Sequence, residues 1–279
     1  MKENLTKIKQ AKKGDINAFQ DLFVAFQDQL KSYLFRITAN RADAEDIAHD
    51  TFIKAFDKLN TFQQKSSLKT WVFQIATNLA YNQKKRRNRW TEDVSEQAKA
   101  IVLENTKIAN RIEQVNRHST CGTYEIKEHI DTCFTCISKN LLIENQVALL
   151  LKDVYDFSVI EIMQILNKTE GQVKYYLQKA RKTMTDIFDK RCALVNKHGV
   201  CHQCTELNGW FNPKQNQNEV KLKIKMVRDA QKKDKKALFK MRIDLIKVID
   251  PLKSEGNELQ ELLLNCNRMA MGEIEIFEK

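Results

Sequence analysis

The sequence predicts an all-α protein: two small helical domains joined by a linker, followed by a helical C-terminal extension. Three observations predict it. Seven Gly and two Pro stand in 279 residues, where average usage would give roughly twenty and fourteen, so the turn density of a β-sandwich is missing. Apolar residues recur at spacings of three and four over long stretches, the period of a helix that buries one face. With 42% apolar and 30% charged residues, the chain can form a core and keep a wet surface.

Taken in order, residues 15–38 read as an amphipathic helix whose stripe is Phe19, Leu22, Phe23, Phe26, Leu30, Tyr33, Leu34 and Ile37, with Asp15 as N-cap. A second helix over 42–59 turns Ile47, Ala48, Phe52, Phe56 and Leu59 inward. A third, from Ser67 to Arg87, buries Leu68, Trp71, Val72, Ile75, Ala76 and Leu79, and leaves Thr70, Phe73, Gln74, Thr77, Asn78, Tyr81 and Asn82 on a polar face. These three make a first domain, 1–90. From 91 to 139 the pattern weakens, as in a linker, and a Cys/His cluster appears. Helical periodicity returns in a second domain, 140–188. The extension, 189–279, holds further Cys, a Lys-rich helical stretch with Leu238, Met241, Leu245 and Ile249, a break at Pro251, and a last helix with Leu259, Leu262, Leu263 and Cys266.

Charge narrows the function classes. The formal net charge is +11, from 47 basic and 36 acidic residues, which favours a polyanion such as nucleic acid. The apolar run Val147-Ala148-Leu149-Leu150-Leu151 is far shorter than the roughly 18 residues a membrane span needs, and Met1-Lys2-Glu3-Asn4-Leu5 has no apolar signal core. A cytoplasmic protein without membrane insertion is expected. Its seven Cys would then serve metal binding or burial rather than disulfides.

Residues 158–182 carry the most legible motif. Ser158 and Glu161 have the spacing of a capping box, and Thr169 and Gln172 repeat it at the next helix. Between them lie a short helix, Val159 to Leu166, and a three-residue turn, which is helix-turn-helix geometry. In the second helix Val173, Tyr176, Leu177, Ala180 and Met184 face inward. Thr169, Glu170, Gln172, Lys174, Tyr175 and Gln178 form the candidate DNA-reading end, because such donors and acceptors match base edges in a major groove. The third helix ends in Lys84-Lys85-Arg86-Arg87-Asn88-Arg89, five cations in six residues, and Lys85 and Arg86 are candidate phosphate contacts. Phe73 is expected to pack against the first helix rather than to meet a base.

In this order the pieces resemble a bacterial RNA polymerase sigma factor of the extracytoplasmic-function group. Asp43 to Phe56 looks like that family's region-two polymerase-binding helix. Thr61-Phe62 and Ser66 to Asn78 look like its promoter-melting segment, and Leu150 to Val154, Ser158 to Ile162 and Val173 to Arg181 like its region four. The resemblance implies that Asp43, Glu45, Asp46 and Asp50 dock on a coiled coil of the polymerase clamp. It implies that Lys65, Ser66, Ser67, Trp71, Asn78 and Asn82 handle the opened promoter, where a flipped base costs a few kcal/mol that a pocket must offset. Region four would sit on the polymerase flap and reach the upstream promoter element. No covalent bond is broken in these tasks, so no enzymatic activity is expected. The chain departs from the family at Leu141-Leu142, where Leu-Pro is usual, at Gln146, where Arg is usual, and at Gln172 and Tyr175-Tyr176, where Thr and a Ser-Arg pair are usual.

The Cys/His cluster Cys121, His129, Cys133 and Cys136 is spaced C-x7-H-x3-C-x2-C, suited to a tetrahedral structural zinc, and is similar to the zinc motif of anti-sigma factors. Cys192, Cys201 and Cys204, with His198 or His202, form a second candidate set, and Cys133, Cys136, Cys201 and Cys204 a third. Cys266 reads as core. Two other function classes remain open at this point: a two-module DNA-binding regulator that never contacts polymerase, and a zinc-dependent nucleic-acid enzyme. The acidic helix speaks against the first and the lack of an H-x-E or H-E-x-x-H pattern against the second. The extension is basic, with twelve Lys or Arg against four Asp or Glu between Lys214 and Lys247. It fits either a helical brace on region four or a docking element for an anti-sigma protein or a recruiting DNA-bound factor.

Overall fold

A computed structural model describes residues 2–84, 89–118, 126–192, 233–253 and 257–275. The described residues contain helices and no strand. The chain divides into two compact units, Met1–Arg87 with Ile143–Leu177, and Asn88–Leu142 with Gln178–Lys279. Each unit therefore joins segments far apart in sequence, a grouping that the order of motifs along the chain does not reveal.

In the first unit, α1 (Lys2–Lys12) and α2 (Ile16–Thr38) are separated by a turn at Gly14, whose φ of 98° suits glycine. Asp15 caps α2 as expected, accepting from the Ala18 N–H at 3.0 Å. The helix α3 (Arg41–Asp57) is capped by Asn40, which accepts from the Asp43 N–H at 2.7 Å. A single 3-10 turn, Leu59–Thr61, leads towards α4 (Leu68–Lys84), whose first turn is held by the Ser67 hydroxyl accepting from the Thr70 N–H at 3.0 Å. The predicted aromatic stripe forms the core: Phe19, Phe23, Phe52 and Phe56 meet with ring centroids 5.1 to 6.0 Å apart.

The same unit takes in α8 (Ile143–Leu149), which runs into one widened turn, Leu150–Val154, closed by the Tyr155 N–H on the Leu150 carbonyl at 3.0 Å. Such a wide turn redirects the side chains that follow it. Here it delivers Tyr155 and Phe157 to α2 and α4. Then come α9 (Val159–Leu166) and the start of α10 (Glu170–Arg191).

The second unit contains α5 (Val94–Glu104), α6 (Thr106–His118) and α7 (Ile126–Ser138), the end of α10, α11 (Lys235–Ile246) and α12 (Asn257–Ala270). Three helices thus stand in 91–139, where the sequence reading expects a linker. The reason is an apolar face too short to register among so many polar residues. Ala98, Ile108, Ile112 and Val115 close against Leu259, Leu262 and Cys266. α11 and α12 pack on α5, α6 and α7 and on the end of α10, where Arg242 lies 4.1 Å over the Phe188 ring. The buried stripe of α11 is Leu238, Phe239, Ile243 and Ile246, and Met241, Leu245 and Ile249 are only half-buried. At the other end, the Glu273 side chain is 3% exposed and draws together Trp90 Nε1 at 2.7 Å, Lys139 Nζ at 3.5 Å and Arg268 Nε at 3.5 Å.

Candidate nucleic-acid interface

The acidic candidates lie on α3. Asp43, Asp46 and Asp50 follow one another at three and four residues and share a face, with Glu45 beside them. Glu45, Asp46 and Asp50 are exposed and Asp43 is half-buried. The opposite face carries Ala44, Ile47, Ala48, Thr51 and Ala55 into the bundle. The helix is therefore anchored by its apolar side and presents carboxylates outward. Asp43 also stands in the first turn, where the helix dipole favours an anion.

The promoter-melting candidates lie on the loop before α4 and on α4 itself. Lys65 and Ser67 are exposed and Ser66 is half-buried. Gln64, with φ 57°, bends the loop through the left-handed region. Trp71 is half-buried against Phe62, ring centroids 5.2 Å apart. Asn78 and Asn82 are exposed. Lys85 and Arg86 lie outside the described residues.

The structure changes the picture of α4. Its expected outward face is covered: Thr70, Phe73 and Thr77 are buried. Phe73 packs against Tyr33 and Phe157, with centroids at 5.2 and 4.9 Å, so it belongs to the core as expected. Leu68, Trp71, Ile75 and Leu79, expected inward, are only half-buried. Two sides of α4 are in contact because α9 lies along it. The Thr70 hydroxyl donates to Glu161 Oε1 at 3.1 Å, Gln74 Nε2 donates to the Gln164 carbonyl at 2.9 Å, and Gln164 Nε2 reaches the Lys65 carbonyl at 3.4 Å. Lys69 Nζ sits 4.7 Å over the Phe157 ring. Burial pulls the Lys69 ammonium down, opposed by Glu161. For Glu161, burial raises the carboxyl, but the Ser158 N–H and hydroxyl, the Thr70 hydroxyl and Lys69 outweigh it and hold it below the usual carboxylate range.

The helix-turn-helix is present. The Ser158–Glu161 capping box is complete, and α9 ends at Asn167 in the left-handed conformation, φ 51°. Thr169 and Gln172 cap α10 reciprocally: Gln172 Oε1 accepts from the Thr169 N–H at 3.0 Å and Thr169 Oγ1 from the Gln172 N–H at 3.3 Å. Val173, Leu177, Ala180 and Met184 are buried. Glu170, Gln172, Lys174, Tyr175 and Gln178 are exposed. Lys174 pairs with Glu170 at 2.6 Å and pulls its carboxyl down, so these two present a dipole rather than two separate charges.

A buried polar group of four residues, Arg36, Ser32, Tyr155 and Gln146, escapes sequence reasoning. The Arg36 guanidinium is 1% exposed. Its Nη1 donates to Ser32 Oγ at 2.7 Å and to the Tyr155 hydroxyl at 2.6 Å, while Gln146 Nε2 donates to the Arg36 carbonyl at 3.2 Å. They tie α8 and its wide turn to α2. A lone Arg between Phe35 and Ile37 carries no local signal of burial. Gln146 is marked only by its departure from the family pattern.

Of the metal candidates, His129, Cys133 and Cys136 fall at three- and four-residue spacings on one side of α7. His129 is buried, which lowers its imidazole to about 4 and keeps it neutral, the form that ligates metals. Cys136 Sγ accepts from Asn267 Nδ2 at 3.2 Å. No three His, Cys, Asp or Glu side chains among the described residues converge on one point. Cys121, Cys201 and Cys204 lie outside the described residues, and Cys192 is half-buried at the end of α10. Cys266 is core as expected, its thiol pushed up to about 11 by burial. No helix among the described residues is long and apolar enough to cross a membrane.

Residues 22–91 match the sigma-70 region 2 family. The chain is similar to the ECF RNA polymerase sigma factor SigW of Bacillus subtilis (strain 168), 27% identical over 180 residues, or 64% of this chain and 92% of the relative. It is also similar to the ECF RNA polymerase sigma-E factor of Escherichia coli (strain K12), 26% identical over 188 residues, or 66% and 95%. Among solved structures, CnrH in complex with the cytosolic domain of CnrY aligns with a TM-score of 0.48 at 17% identity, over 67% of this chain and 97% of that one.

Proposed function

We infer that the chain belongs to the extracytoplasmic-function sigma factors, binds core RNA polymerase and directs promoter-dependent transcription initiation. The observation that carries this reading is the outward acidic face of α3, with Glu45, Asp46 and Asp50 exposed, within the stretch that matches sigma-70 region 2. A DNA binder that acted alone would gain nothing from a negative face next to its basic elements. On this reading, Asp43, Glu45, Asp46 and Asp50 meet a basic surface of the polymerase clamp. Lys65, Ser66, Ser67, Trp71, Asn78, Asn82, Lys85 and Arg86 hold the opened promoter, and the exposed end of α10 approaches the upstream element. This work positions and opens DNA and needs no chemical step.

The test is co-purification with core polymerase. The double variant Asp46→Lys, Asp50→Lys should lose it while its far-UV circular dichroism stays that of the parent. Retained binding would remove α3 as the docking element.

A structural zinc on Cys121, His129, Cys133 and Cys136 is part of this proposal. It is supported by the spacing, by the shared side of α7 and by the neutral His129. The donor chemistry fits zinc, and binding would have to turn His129, Cys133 and Cys136, which do not converge in the described structure, onto one ion with Cys121. Metal analysis of protein purified without chelator should find zinc, and Cys133→Ser should lower its content. Cys192, Cys201 and Cys204 form the candidate ligands of a second ion, counted by the same measurement.

We also propose that promoter reading by α10 is weak and that recruitment involves a partner of the extension, an anti-sigma protein or a DNA-bound factor. Tyr175 and Tyr176 replace the usual Ser-Arg pair, and Arg is the side chain suited to bidentate base contact, worth roughly 1–3 kcal/mol of discrimination. Lys236 and Lys247 are exposed and suited to an acidic partner. Their substitution by Glu should reduce transcription from a native promoter while leaving core-polymerase binding unchanged.

A further inference from the structure

The reading end of α10 is short of side chains that take guanine. From Glu170 to Gln178 the only cation is Lys174, and its Nζ lies 2.6 Å from Glu170 Oε1. An exposed pair of this kind is weak, so a guanine could compete for the ammonium. The carboxylate would still stand close to the O6 and N7 acceptors and repel them. Gln172 is engaged as well. Its Oε1 accepts from the Thr169 N–H at 3.0 Å and from the Thr169 hydroxyl at 3.2 Å. A glutamine takes adenine with both ends of its amide, the carbonyl receiving N6 and the amide nitrogen reaching N7, and the cap occupies the carbonyl.

Two side chains on the same helix are left for bases. Gly171, Lys174, Tyr175 and Gln178 share one face at spacings of three and four, and all are exposed. Opposite them Val173, Leu177 and Ala180 are buried, so the packing of its back holds this face outward. Tyr175 is 55% exposed. Its ring meets Tyr176 edge-on, centroids 6.1 Å apart, and Tyr176 is half-buried. Tyr175 is thus propped by a neighbour that is itself anchored. Nothing lies within 4 Å of where a Cβ on Gly171 would stand, which leaves the first turn clear beside the ring. The N-terminal part of the second helix of a helix-turn-helix is the part that touches base edges. In the major groove the apolar group on a base edge is the thymine C5-methyl, and a ring at this place has it as a partner. Gln178 takes no part in the cap, so its amide can address adenine with both ends.

We propose that α10 selects thymine and adenine rather than guanine in the upstream element, with Tyr175 packed on a thymine methyl and Gln178 paired to an adenine. Tyr175 and Gln178 are then the residues that set specificity. This rests on the sigma reading of α10 given above and names the bases it prefers. Two contacts are few, which agrees with the weak reading proposed there. Lys179 and Lys182, exposed further along the helix, suit the flanking phosphates, which position a helix without reading sequence.

The experiment is a selection from a duplex library randomised over the upstream element, made with the full chain bound to core polymerase. The parent should enrich thymine at one position and adenine at another, each about fivefold or more over guanine. Tyr175→Ala should level the thymine position alone and Gln178→Ala the adenine position alone. Tyr175→Arg should turn the first position to guanine. A second measurement isolates the methyl group. Deoxyuridine in place of thymidine at the selected position keeps the base pair and removes only the methyl. It should weaken binding of the parent about threefold or more and leave that of Tyr175→Ala unchanged. Enrichment of guanine by the parent, no preference at any position, a Tyr175→Ala profile equal to the parent's, or indifference of the parent to deoxyuridine would overturn the proposal. Failure to bind core polymerase would instead overturn the sigma reading. The library is then selected with the full chain alone, and the same enrichments and losses judge the reading by α10.

Discussion

The two units join distant segments of the chain with different chemistry. In the second, α5 and α6 meet α12 through Ala98, Ile108, Ile112, Val115, Leu259, Leu262 and Cys266, with the polar group of Trp90, Lys139, Arg268 and Glu273 gathered at one end. In the first, the 143–166 segment meets α2 and α4 through Arg36, Tyr155, Ser32, Gln146, Thr70, Glu161, Gln74 and Gln164, with Phe73 and Phe157 among them. An apolar seam loses its driving force when opened, at about 25 cal/mol per Å². A polar seam exchanges protein partners for water at a small net cost per bond. The first seam is mixed rather than purely polar, because Leu149, Leu150, Leu151, Phe157 and Ile162 of the same segment are buried as well. Ending the chain at 188 would strip α12 from α5 and α6, so the extension cannot be tested by simple removal.

The largest effect is expected at the buried end of the second unit. Glu273→Gln removes one carboxylate from beside Lys139, 1% exposed, and Arg268, and breaking one side of a buried ionic group costs about 3–5 kcal/mol. Amide exchange in α7 and α12 should speed up accordingly. Next, Ile112→Ala in the apolar seam should cost about 2–5 kcal/mol, read as a fall in the denaturant midpoint of α5 and α6. In the first unit, Tyr155→Phe should cost about 1–3 kcal/mol by leaving the Arg36 guanidinium short of an acceptor. Pairing it with Arg36→Met should restore most of the loss, because a neutral isostere has no buried charge to satisfy. Ser158→Ala should cost about 1 kcal/mol, seen as faster exchange in the first turn of α9.

The smallest effect is a pH dependence. The Glu161 carboxyl is held below its ordinary 4.5 in the folded chain. Its contribution is therefore complete above 4.5 and is lost as pH falls through the folded value. Protection of α9 amides should decline on acidification over that range, and Glu161→Gln should flatten the decline.

Local signals were enough for much of this protein. The Phe19-to-Ile37 stripe, the Asp15 cap and the two capping boxes at Ser158 and Thr169 each depend on residues within a few positions of one another. Helix periodicity and cap chemistry act at that range, so α2, α9 and the start of α10 are legible without coordinates. The acidic face of α3 is legible for the same reason. Other features depend on what lies opposite. Ile108, Ile112 and Val115 gain meaning only from Leu259 and Leu262, and Arg36 only from the tyrosine that the wide turn after α8 brings to it. The α4 side chains Thr70, Phe73 and Thr77 have the pattern of an outward polar face, and whether DNA or α9 covers that face is decided by packing. A sequence specifies which groups can bury or bond. Which partner they meet across a hundred residues depends on the tertiary structure, because burial and hydrogen bonding are satisfied in space and not along the chain.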